Sequence, residues 1–362
     1  MHRLRSKIRL LVLSTPVAPL GSGIGGGVEL TIQNLSDVLQ NRGHSVDILA
    51  PEESMLPDSS IIRIPGELEP RAQRVSRQAE KSGTSSNSVL TNMCTYAEKH
   101  QDSYDLILSF AYDWLPVYLT SQFETPLAHF MSMSSMSDAL DYELKRVASE
   151  FPNRLGCYSK TQAETFPVPE SFTILKSGID LNKYRYCAQP ENYLVWAGRI
   201  SPEKGLEDAV QVSRKKKIPL KILGKMEDRD YWNEILRQAP DAPVEYLGFL
   251  ETKEMQKILR KARALLMTPH WTEAFGMVII EAFACGVPVI TYNRGGPSEI
   301  VEQGKTGFLT EPGRVDEMAN AMDQIDKIRR ADCRQTAEEE YSLEVWGDRF
   351  ENWLQGLVPR KL

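Results

Sequence analysis

The sequence contains few cysteines and no long apolar run, and both shortages limit what the protein can be. Only five cysteines occur in 362 residues, and none of them form a C-x-x-C pair. An odd number of widely spaced cysteines is typical of a cytosolic protein with reduced thiols, and not of a secreted protein held together by disulfides. No segment approaches the roughly 20 consecutive apolar residues that a membrane span requires. The sequence therefore predicts a cytoplasmic protein without a membrane span.

Excess positive charge and clustered metal ligands are also absent from the sequence. The formal net charge is -6, which gives no electrostatic reason to bind nucleic acid or an anionic membrane. The five histidines are dispersed, and no His/Cys group has the spacing of a metal site. Asp228-Arg-Asp230 matches a metal-binding signature of other nucleotide-sugar enzymes, but it stands alone before a predicted helix, so we predict an N-cap region. We expect no metal cofactor and no nucleic-acid partner; the oligomeric state is not indicated.

The length of the chain and its repeated pattern predict two domains. Apolar, β-branched strands alternate with amphipathic helices, which is typical of doubly wound α/β domains with parallel sheets. The pattern restarts at residue 178, so we predict Rossmann-like domains over 1–177 and 178–337. Apolar aromatic residues at helical spacing predict a terminal helix at about 338–362 that docks back on the first domain. Ligands of such folds bind at the carboxyl ends of the strands, here in an expected cleft between the domains.

The strand predictions follow the short apolar runs. In the first domain they are residues 8–14, 46–50, 106–110, 127–130 and 155–158. In the second they are residues 193–197, 220–223, 244–247, 264–267, 289–292 and 308–309. The polar residues 51–88 are predicted to contain no strand and to end in a mobile surface loop.

Glu273 and Glu281 lie eight positions apart in one of the most apolar stretches of the chain. Gly276 comes shortly after the first glutamate, and Gly286 with Pro288 ends the apolar run, so the stretch predicts a short helix followed by a strand. We predict Glu273 at the N-terminus of this helix and Glu281 about two turns along it. Anions bind at helix N-termini, and the pair therefore indicates a site more than a solvated helix face. Taken alone, two such carboxylates also fit the acid and base of glycoside hydrolysis.

Two glycine-rich turns are candidates for binding phosphate. Residues 21–27 follow the first strand and open a helix, which exposes backbone N–H groups. They fit a tight turn, a catalytic loop or, formally, a dinucleotide fingerprint, although Asp47 lies within the second strand and not at its end. Residues 198–205 follow the first strand of the second domain, where Arg199 and Lys204 form either a diphosphate clamp or part of a structural turn.

His129 follows an apolar run at the predicted carboxyl edge of the first sheet. A single histidine there fits either a hydrogen-bonded structural residue or a side chain that faces a ligand. The methionines Met131, Met133 and Met136 that come after it fit either core filling or an adaptable acceptor pocket.

Taken in order, these segments resemble the retaining family-4 glycosyltransferases of GT-B fold. The matching motifs are Gly-Gly-Gly-Val-Glu29, Arg42-Gly43-His44, Ser177-Gly178-Ile-Asp180, Gly198-Arg199, Lys204-Gly205, Glu273 with Glu281, Gly286-x-Pro288-Val, Gly295-Gly296-x-x-Glu299 and Thr306-Gly307-Phe308-Leu309. Residues 14–30 are similar, more particularly, to the opening of the UDP-glucose:tetrahydrobiopterin glucosyltransferases. The residues 269–272, Pro-His-Trp-Thr, depart from the small polar residues frequent at this place in the family.

The resemblance implies a role for each candidate residue. Arg199 and Lys204 would neutralise the departing diphosphate in place of a metal, and Glu281 would bind the ribose hydroxyls. Glu273 would hold the donor sugar, and His129 would face it. The remaining implied donor-binding groups are Gly25, Gly26, Gly27, Ala274, Phe275, Gly276 and Met277.

The resemblance also implies a reaction, which is transfer of glucose from UDP-glucose to a reduced pterin with retention at the anomeric carbon. The departing phosphate would take the acceptor proton, so no protein nucleophile is required. Asp113 and Asp138 are candidate acceptor-binding residues in first-domain loops. The alternatives are another acceptor (a sugar, a lipid or a flavonoid), a nucleotide-sugar epimerase or hydrolase, an NAD-dependent oxidoreductase and a catalytically silent nucleotide-binding protein.

Overall fold

The structure, a computed structural model, describes residues 7–23, 26–70 and 87–359. It divides the chain into two compact units, one formed by Met1–Ser177 with Leu343–Leu362 and the other by Gly178–Ser342. The second unit thus ends five residues later than the predicted 178–337, because a helix that packs within it continues to Tyr341.

The first unit is built from strands that alternate with helices. Its elements before residue 178 are β1 Arg9–Leu13, α1 Gly27–Asn41, β2 Ser45–Pro51, β3 Ser60–Ile64, α2 Val89–His100, β4 Leu106–Ser109, α3 Trp114–Tyr118, β5 Leu127–Met131, α4 Asp138–Glu150, β6 Leu155–Cys157, α5 Lys160–Ala163 and β7 Phe172–Ile174. The strands form one parallel sheet in the order β3-β2-β1-β4-β5-β6-β7. The chain progresses outward from β1 on one side and from β4 on the other, so the topological switch point lies between these two strands.

Burial of both sheet faces explains the continuous apolar runs of the central strands. Residues 10–13 of β1 are all buried, as expected for a parallel strand that helices cover on both sides. Leu11 and Leu13 pack in one cluster with residues of α2. Leu140, Leu144 and Val147 of α4 pack against β6 in another. The core therefore holds the carboxyl ends of β1, β4 and β5 in fixed positions.

The second unit repeats this architecture with one strand fewer. Its elements are β8 Leu194–Ala197, α6 Leu206–Lys216, β9 Leu220–Leu223, α7 Arg229–Gln238, β10 Val244–Gly248, α8 Thr252–Leu259, β11 Ala264–Met267, α9 Met277–Ala284, β12 Val289–Tyr292, α10 Pro297–Ile300, β13 Gly307–Thr310, α11 Val315–Met322 and α12 Arg330–Tyr341. The parallel sheet has the order β10-β9-β8-β11-β12-β13. Its switch point lies between β8 and β11.

The last helix, α13 Leu343–Leu357, belongs to the first unit. The prediction began this helix at about 338, but residue 342 is extended and separates α12 from α13. Trp346, Phe350 and Trp353 are buried along one face of α13. The indole N–H of Trp353 donates to the carbonyl of Asn153 at 2.8 Å, and the Phe350 ring lies 5.4 Å from that of Phe130. The aromatic spacing thus reflects core packing.

Candidate active site

The candidate site of the second unit lies where the loops after β8 and β11 meet. These adjacent strands flank the switch point, the usual ligand position in an open parallel sheet. The hydroxyl of Thr268, directly after β11, donates to the carbonyl of Gly205 at 2.6 Å. Gly205 has a φ of +63°, and a Cβ there would lie 2.0 Å from the Thr268 carbonyl oxygen. The two loops are therefore joined by a contact that only glycine permits.

Lys204 and Glu273 meet across these two loops. The Lys204 ammonium donates to Oε2 of Glu273 at 2.5 Å, and the side chains are 18% and 15% exposed. The indole N–H of Trp271 donates to the same oxygen at 3.0 Å, and the Lys204 nitrogen lies 4.7 Å from the centre of the Trp271 ring. The three side chains form a compact, partly desolvated cluster, in which charge pairing is stronger than at an open surface.

Arg199 lies on the β8 loop and is paired with two carboxylates. One guanidinium nitrogen lies 2.7 Å from Glu227 and the other 3.0 Å from Glu203, and the Ser201 hydroxyl also donates to Glu203 at 2.8 Å. The backbone carbonyl of Glu203 accepts from the N–H of His270 at 2.9 Å. Arg199 is thus oriented by acidic neighbours at the edge of the joined loops.

The structure changes the predicted position of the two glutamates relative to the helix. Helix α9 begins at Met277 with Gly276, at φ +110°, as its N-cap. Glu273 therefore lies in the loop before the helix, and Glu281 lies little more than one turn inside it, not two. The backbone N–H of Gly296 donates to the Glu273 carbonyl at 2.8 Å, and a Cβ at Gly295 would lie 2.4 Å from that carbonyl. The Gly295-Gly296 turn thus fixes the backbone of the glutamate loop.

Glu281 is a buried carboxyl on α9. Its side chain accepts a hydrogen bond from the Tyr184 hydroxyl at 2.7 Å, and the residue is 9% exposed. Burial raises the pKa of Glu281 to about 7, although the Tyr184 hydrogen bond acts in the opposite direction. Burial, followed by the charge of Glu281, raises the pKa of Tyr184. A ligand that donates further hydroxyl hydrogen bonds to such a carboxyl group stabilises its ionised form.

Sequence reasoning missed two neighbours of the glutamates, Trp271 and Tyr184. Trp271 stands out in the sequence only as a departure from the family pattern, and that departure was the available signal. Tyr184 is 97 positions from Glu281 and has no distinctive local pattern.

In the first unit, Glu29 organises the glycine turn before α1. Its Oε2 accepts from the backbone N–H groups of Gly21 at 2.9 Å and Gly23 at 3.2 Å. Gly26 is the N-cap of α1, with a φ of +68°, and apart from its chain neighbours no atom of the described residues lies within 4 Å of the position that a Cβ would take there. Gly27 begins the helix, whereas Gly25 lies outside the described residues. The turn thus leaves open space at the start of a 15-residue helix.

His129 does not lie where it was predicted. Strand β5 continues to Met131, so His129 is inside the strand and 0% exposed. Its Nε2 lies 2.8 Å from the Thr120 hydroxyl, and burial, followed by the charge of Arg154, lowers the pKa of His129 to about 3. The expectation that this histidine faces a sugar is therefore wrong, and the structural interpretation applies.

The two candidate acceptor residues differ in exposure. Asp113 is buried and caps α3, because its Oδ1 accepts from the N–H of Leu115 at 3.0 Å. It follows β4 beside the switch point of the first unit. Asp138 is exposed at the first residue of α4, after the N-cap Ser137. Of the methionines, Met131 is buried in β5, and Met133 and Met136 are partly exposed in the loop that follows.

Two sequence motifs prove to be structural. Asp228 is the N-cap of α7 and accepts from the N–H of Tyr231 at 2.8 Å, which confirms the predicted N-cap. The Asp47 carboxylate accepts from the hydroxyls of Ser60 at 2.6 Å and Tyr104 at 3.0 Å within the sheet. It is not at a strand end, where a dinucleotide ribose would bind.

In the part of the chain that the structure describes, no group of three or more histidine, cysteine, aspartate and glutamate side chains is arranged to hold a metal ion. None of the helices in these ranges is both long and apolar enough to cross a membrane. The expected independence of metal stays a prediction.

The comparisons with known proteins locate a family match in the second unit. Residues 187–340, less than half of the chain, match the family model of group 1 glycosyl transferases. The glycogen synthase of Mycobacterium tuberculosis is 27% identical over 247 residues, which are 59% of this chain and 59% of that protein. The Alpha-1,3/1,6-mannosyltransferase alg-2 of Neurospora crassa is 41% identical over 90 residues, 25% of this chain and 19% of that protein. The chain thus spans less than two thirds of the length of these relatives.

The whole fold resembles solved glycosyltransferase structures. Anabaena HepE in complex with UDP and glucose has a TM-score of 0.76 at 19% identity, covering 97% of this chain and all of that one. Sucrose-phosphate synthase from Thermosynechococcus elongatus has a TM-score of 0.75 at 18% identity, with 96% and 98% of the two chains covered. The predicted fold class, a GT-B fold of two Rossmann-like parallel-sheet domains, is confirmed.

Proposed function

We propose that the protein is a retaining glycosyltransferase that moves glucose from UDP-glucose to a small acceptor without a metal ion. The observation that carries the proposal is the contact between Lys204 and Glu273 at the switch point of the second unit. A cation for the diphosphate and a carboxylate for the sugar are thereby held within one hydrogen bond of each other. The match of residues 187–340 to group 1 glycosyl transferases supports the reaction class, and the HepE complex with UDP and glucose supports the choice of donor.

The charges of Arg199 and Lys204 suit the leaving group. A diphosphate gains negative charge as the glycosidic bond breaks, and two fixed cations stabilise that charge without a metal. Their acidic partners keep them in place: Glu227 and Glu203 hold Arg199, and Glu273 holds Lys204. Competition with these carboxylates also limits how tightly the diphosphate product is retained.

The two glutamates divide the rest of the donor between them. Glu281 already accepts one hydrogen bond from the Tyr184 hydroxyl, and the ribose diol would supply two further donors. Glu273 would accept from the hydroxyls of the glucose. Both carboxylates are thus assigned to binding. The acceptor would attack from the face that the phosphate leaves, which retains the configuration. This transfer needs no protein nucleophile, because the departing phosphate takes the acceptor proton.

We further propose a reduced pterin, tetrahydrobiopterin, as the acceptor. This proposal rests on the resemblance of residues 14–30 to enzymes that glucosylate this compound, and on the turn that Glu29 closes there. The exposed Asp138 is a better candidate to meet an acceptor than Asp113, whose carboxylate caps a helix. A panel of tetrahydrobiopterin, simple sugars, lipids and flavonoids tests it, and absence of transfer to the pterin refutes the acceptor while leaving the reaction class.

The decisive experiment is calorimetric titration of UDP with EDTA present. We expect the unmodified protein to bind, and Arg199→Ala and Lys204→Ala each to raise Kd roughly tenfold or more, since each removes a charge-assisted contact. Lys215→Ala is the matched control, because this lysine pairs with Asp316 on the surface. Tight UDP binding that survives loss of both Arg199 and Lys204 contradicts the assignment.

Product analysis completes the test. Nuclear magnetic resonance of the product with UDP-glucose and acceptor is expected to show an α-linked glucoside, since the donor is α-linked. Release of free glucose at the same rate without any acceptor would instead identify a hydrolase.

A further inference from the structure

We propose that Trp271 is a positioning residue that keeps Glu273 aimed at the donor sugar when Lys204 turns to the diphosphate. The inference rests on the proposed function and assigns a role to a residue that the family motifs do not include. Trp271 contacts both Lys204 and Glu273 through separate interactions. Its indole N–H reaches the carboxylate, and its ring face lies beside the ammonium.

The hydrogen bonds of Glu273 explain why a second donor is needed. Lys204 and Trp271 both donate to Oε2 of Glu273. The other oxygen, Oε1, accepts no hydrogen bond from a described residue. A diphosphate carries more negative charge than one carboxylate, so it competes for the Lys204 ammonium. Once Lys204 contacts phosphate, the Trp271 N–H is the remaining donor that fixes the carboxylate, with Oε1 directed to a sugar hydroxyl.

The chemistry of an indole suits this exchange. Trp has a single N–H donor and no acceptor, so it stabilises the charged carboxylate and cannot pair with the ammonium by hydrogen bonding. Its ring face attracts a cation within about 6 Å, which guides Lys204 without immobilising it. The large rigid ring also has few rotamers to lose, so it holds its position at low entropic cost.

The backbone around Trp271 is anchored on both sides, so the side chain acts from a fixed base. The His270 N–H donates to Glu203 at 2.9 Å and the His270 carbonyl accepts from Arg294 at 2.9 Å. On the other side, the Glu273 carbonyl accepts from the Gly296 N–H at 2.8 Å. A substitution of the indole can therefore remove its N–H while the loop keeps these contacts.

The test compares UDP with UDP-glucose by calorimetry in the full chain and in Trp271→Phe, which keeps an aromatic face but loses the N–H. We expect the Kd for UDP to change less than about threefold, while the Kd for UDP-glucose rises roughly tenfold, the range for a hydrogen bond to a charged group. Trp232→Phe is the matched control. The Trp232 ring lies 5.4 Å from the Tyr246 ring elsewhere in the same unit, and its replacement should leave the ratio of the two constants unchanged.

The outcomes separate this inference from the proposed function. If the unmodified protein binds neither UDP nor UDP-glucose, the proposed function fails. If it binds both, and Trp271→Phe weakens both equally or neither, the positioning role alone is wrong. Should the Phe variant not fold, Trp271→Gln and Trp271→Met provide the same comparison, since both are unbranched and only Gln has an N–H. If the ratio of the Kd for UDP-glucose to the Kd for UDP is the same in the Gln and Met variants, the inference is contradicted. A lower ratio in the Gln variant supports it.

Discussion

At the residue scale, Glu281 shows how the site links ligand binding to stability. Its pKa is raised from 4.5 to about 7 by burial. Between these two pH values the folded protein binds a proton that the unfolded chain has already lost. The free energy of unfolding therefore decreases as the pH rises through this window, and above it the ionised buried carboxylate exerts its full destabilising effect.

Glu281→Gln should remove this pH dependence. At pH 8 we expect the free energy of unfolding of the variant to exceed that of the unmodified protein by up to roughly 3 kcal/mol, so that the variant melts at a higher temperature. At pH 5 the two proteins should differ little in stability. The same variant should bind UDP more weakly, because the amide is uncharged and has one acceptor oxygen where the carboxylate has two. Melting curves at the two pH values measure the first effect, with Glu254→Gln on the exposed face of α8 as control. An equal shift at both pH values would show that ionisation of Glu281 is not the cause.

The site residues that the sequence reveals have distinctive neighbours in the chain, whereas those that it does not reveal have distinctive neighbours only in the folded structure. Arg199, Lys204, Glu273 and Glu281 are charged residues in glycine-rich or apolar segments, and that contrast is visible in the chain. Tyr184 and the indole contact of Trp271 depend on partners that folding brings together. His129 was misplaced because the carboxyl end of β5 was predicted at Phe130, one residue before its end.

At the element scale, the joining of the β8 and β11 loops depends on Gly205. Gly205→Ala and Gly248→Ala both introduce a side chain at positive φ, +63° and +76° respectively. The shared backbone strain costs about 1 kcal/mol. Only at position 205 would the new Cβ also collide with the Thr268 carbonyl, 2.0 Å away, whereas at 248 nothing lies within 4 Å. We expect Gly205→Ala alone to reduce UDP affinity, and also to lower the melting temperature further.

Calorimetric titration and thermal melting of the two alanine variants test this expectation. If both variants lose the same stability and keep the same UDP affinity, then the contact between the loops has no functional consequence. Loss of UDP affinity at 248 but not at 205 would place the nucleotide elsewhere.

The sequence patterns identified every central strand, but only some of the edge strands. Central strands such as β1 and β12 are continuous apolar runs because helices cover both faces. The edge strands β3 and β7 were missed. Ser60–Ile64 has one buried residue out of five and lies in a polar stretch, and Phe172–Ile174 is only three residues long. These two strands are too polar or too short to carry the signal, whereas the edge strands β10 and β13 of the second sheet were predicted from their apolar residues.

At the scale of the whole molecule, the predicted donor contacts are distributed unequally between the units. The cluster of Lys204, Glu273 and Trp271, together with Arg199 and Glu281, lies in the single segment Gly178–Ser342. This segment has its own parallel sheet and buried core. Helix α13 starts after it and completes the core of the first unit. The chain thus provides a natural boundary at Ser342 for separating the units.

We therefore expect residues 178–342, expressed alone, to fold and to bind UDP within about tenfold of the full chain, a difference of about 1.4 kcal/mol. The helix start at Gly26 and Gly27 would account for that difference if it contacts the phosphates. The fragment should transfer no glucose, because the candidate acceptor residues Asp113 and Asp138 are in the other unit. Calorimetry measures the affinity, and the fragment with Lys204→Ala is the control. A fragment that is folded by circular dichroism yet does not bind UDP, while the full chain does, would show that the first unit supplies most of the nucleotide contacts.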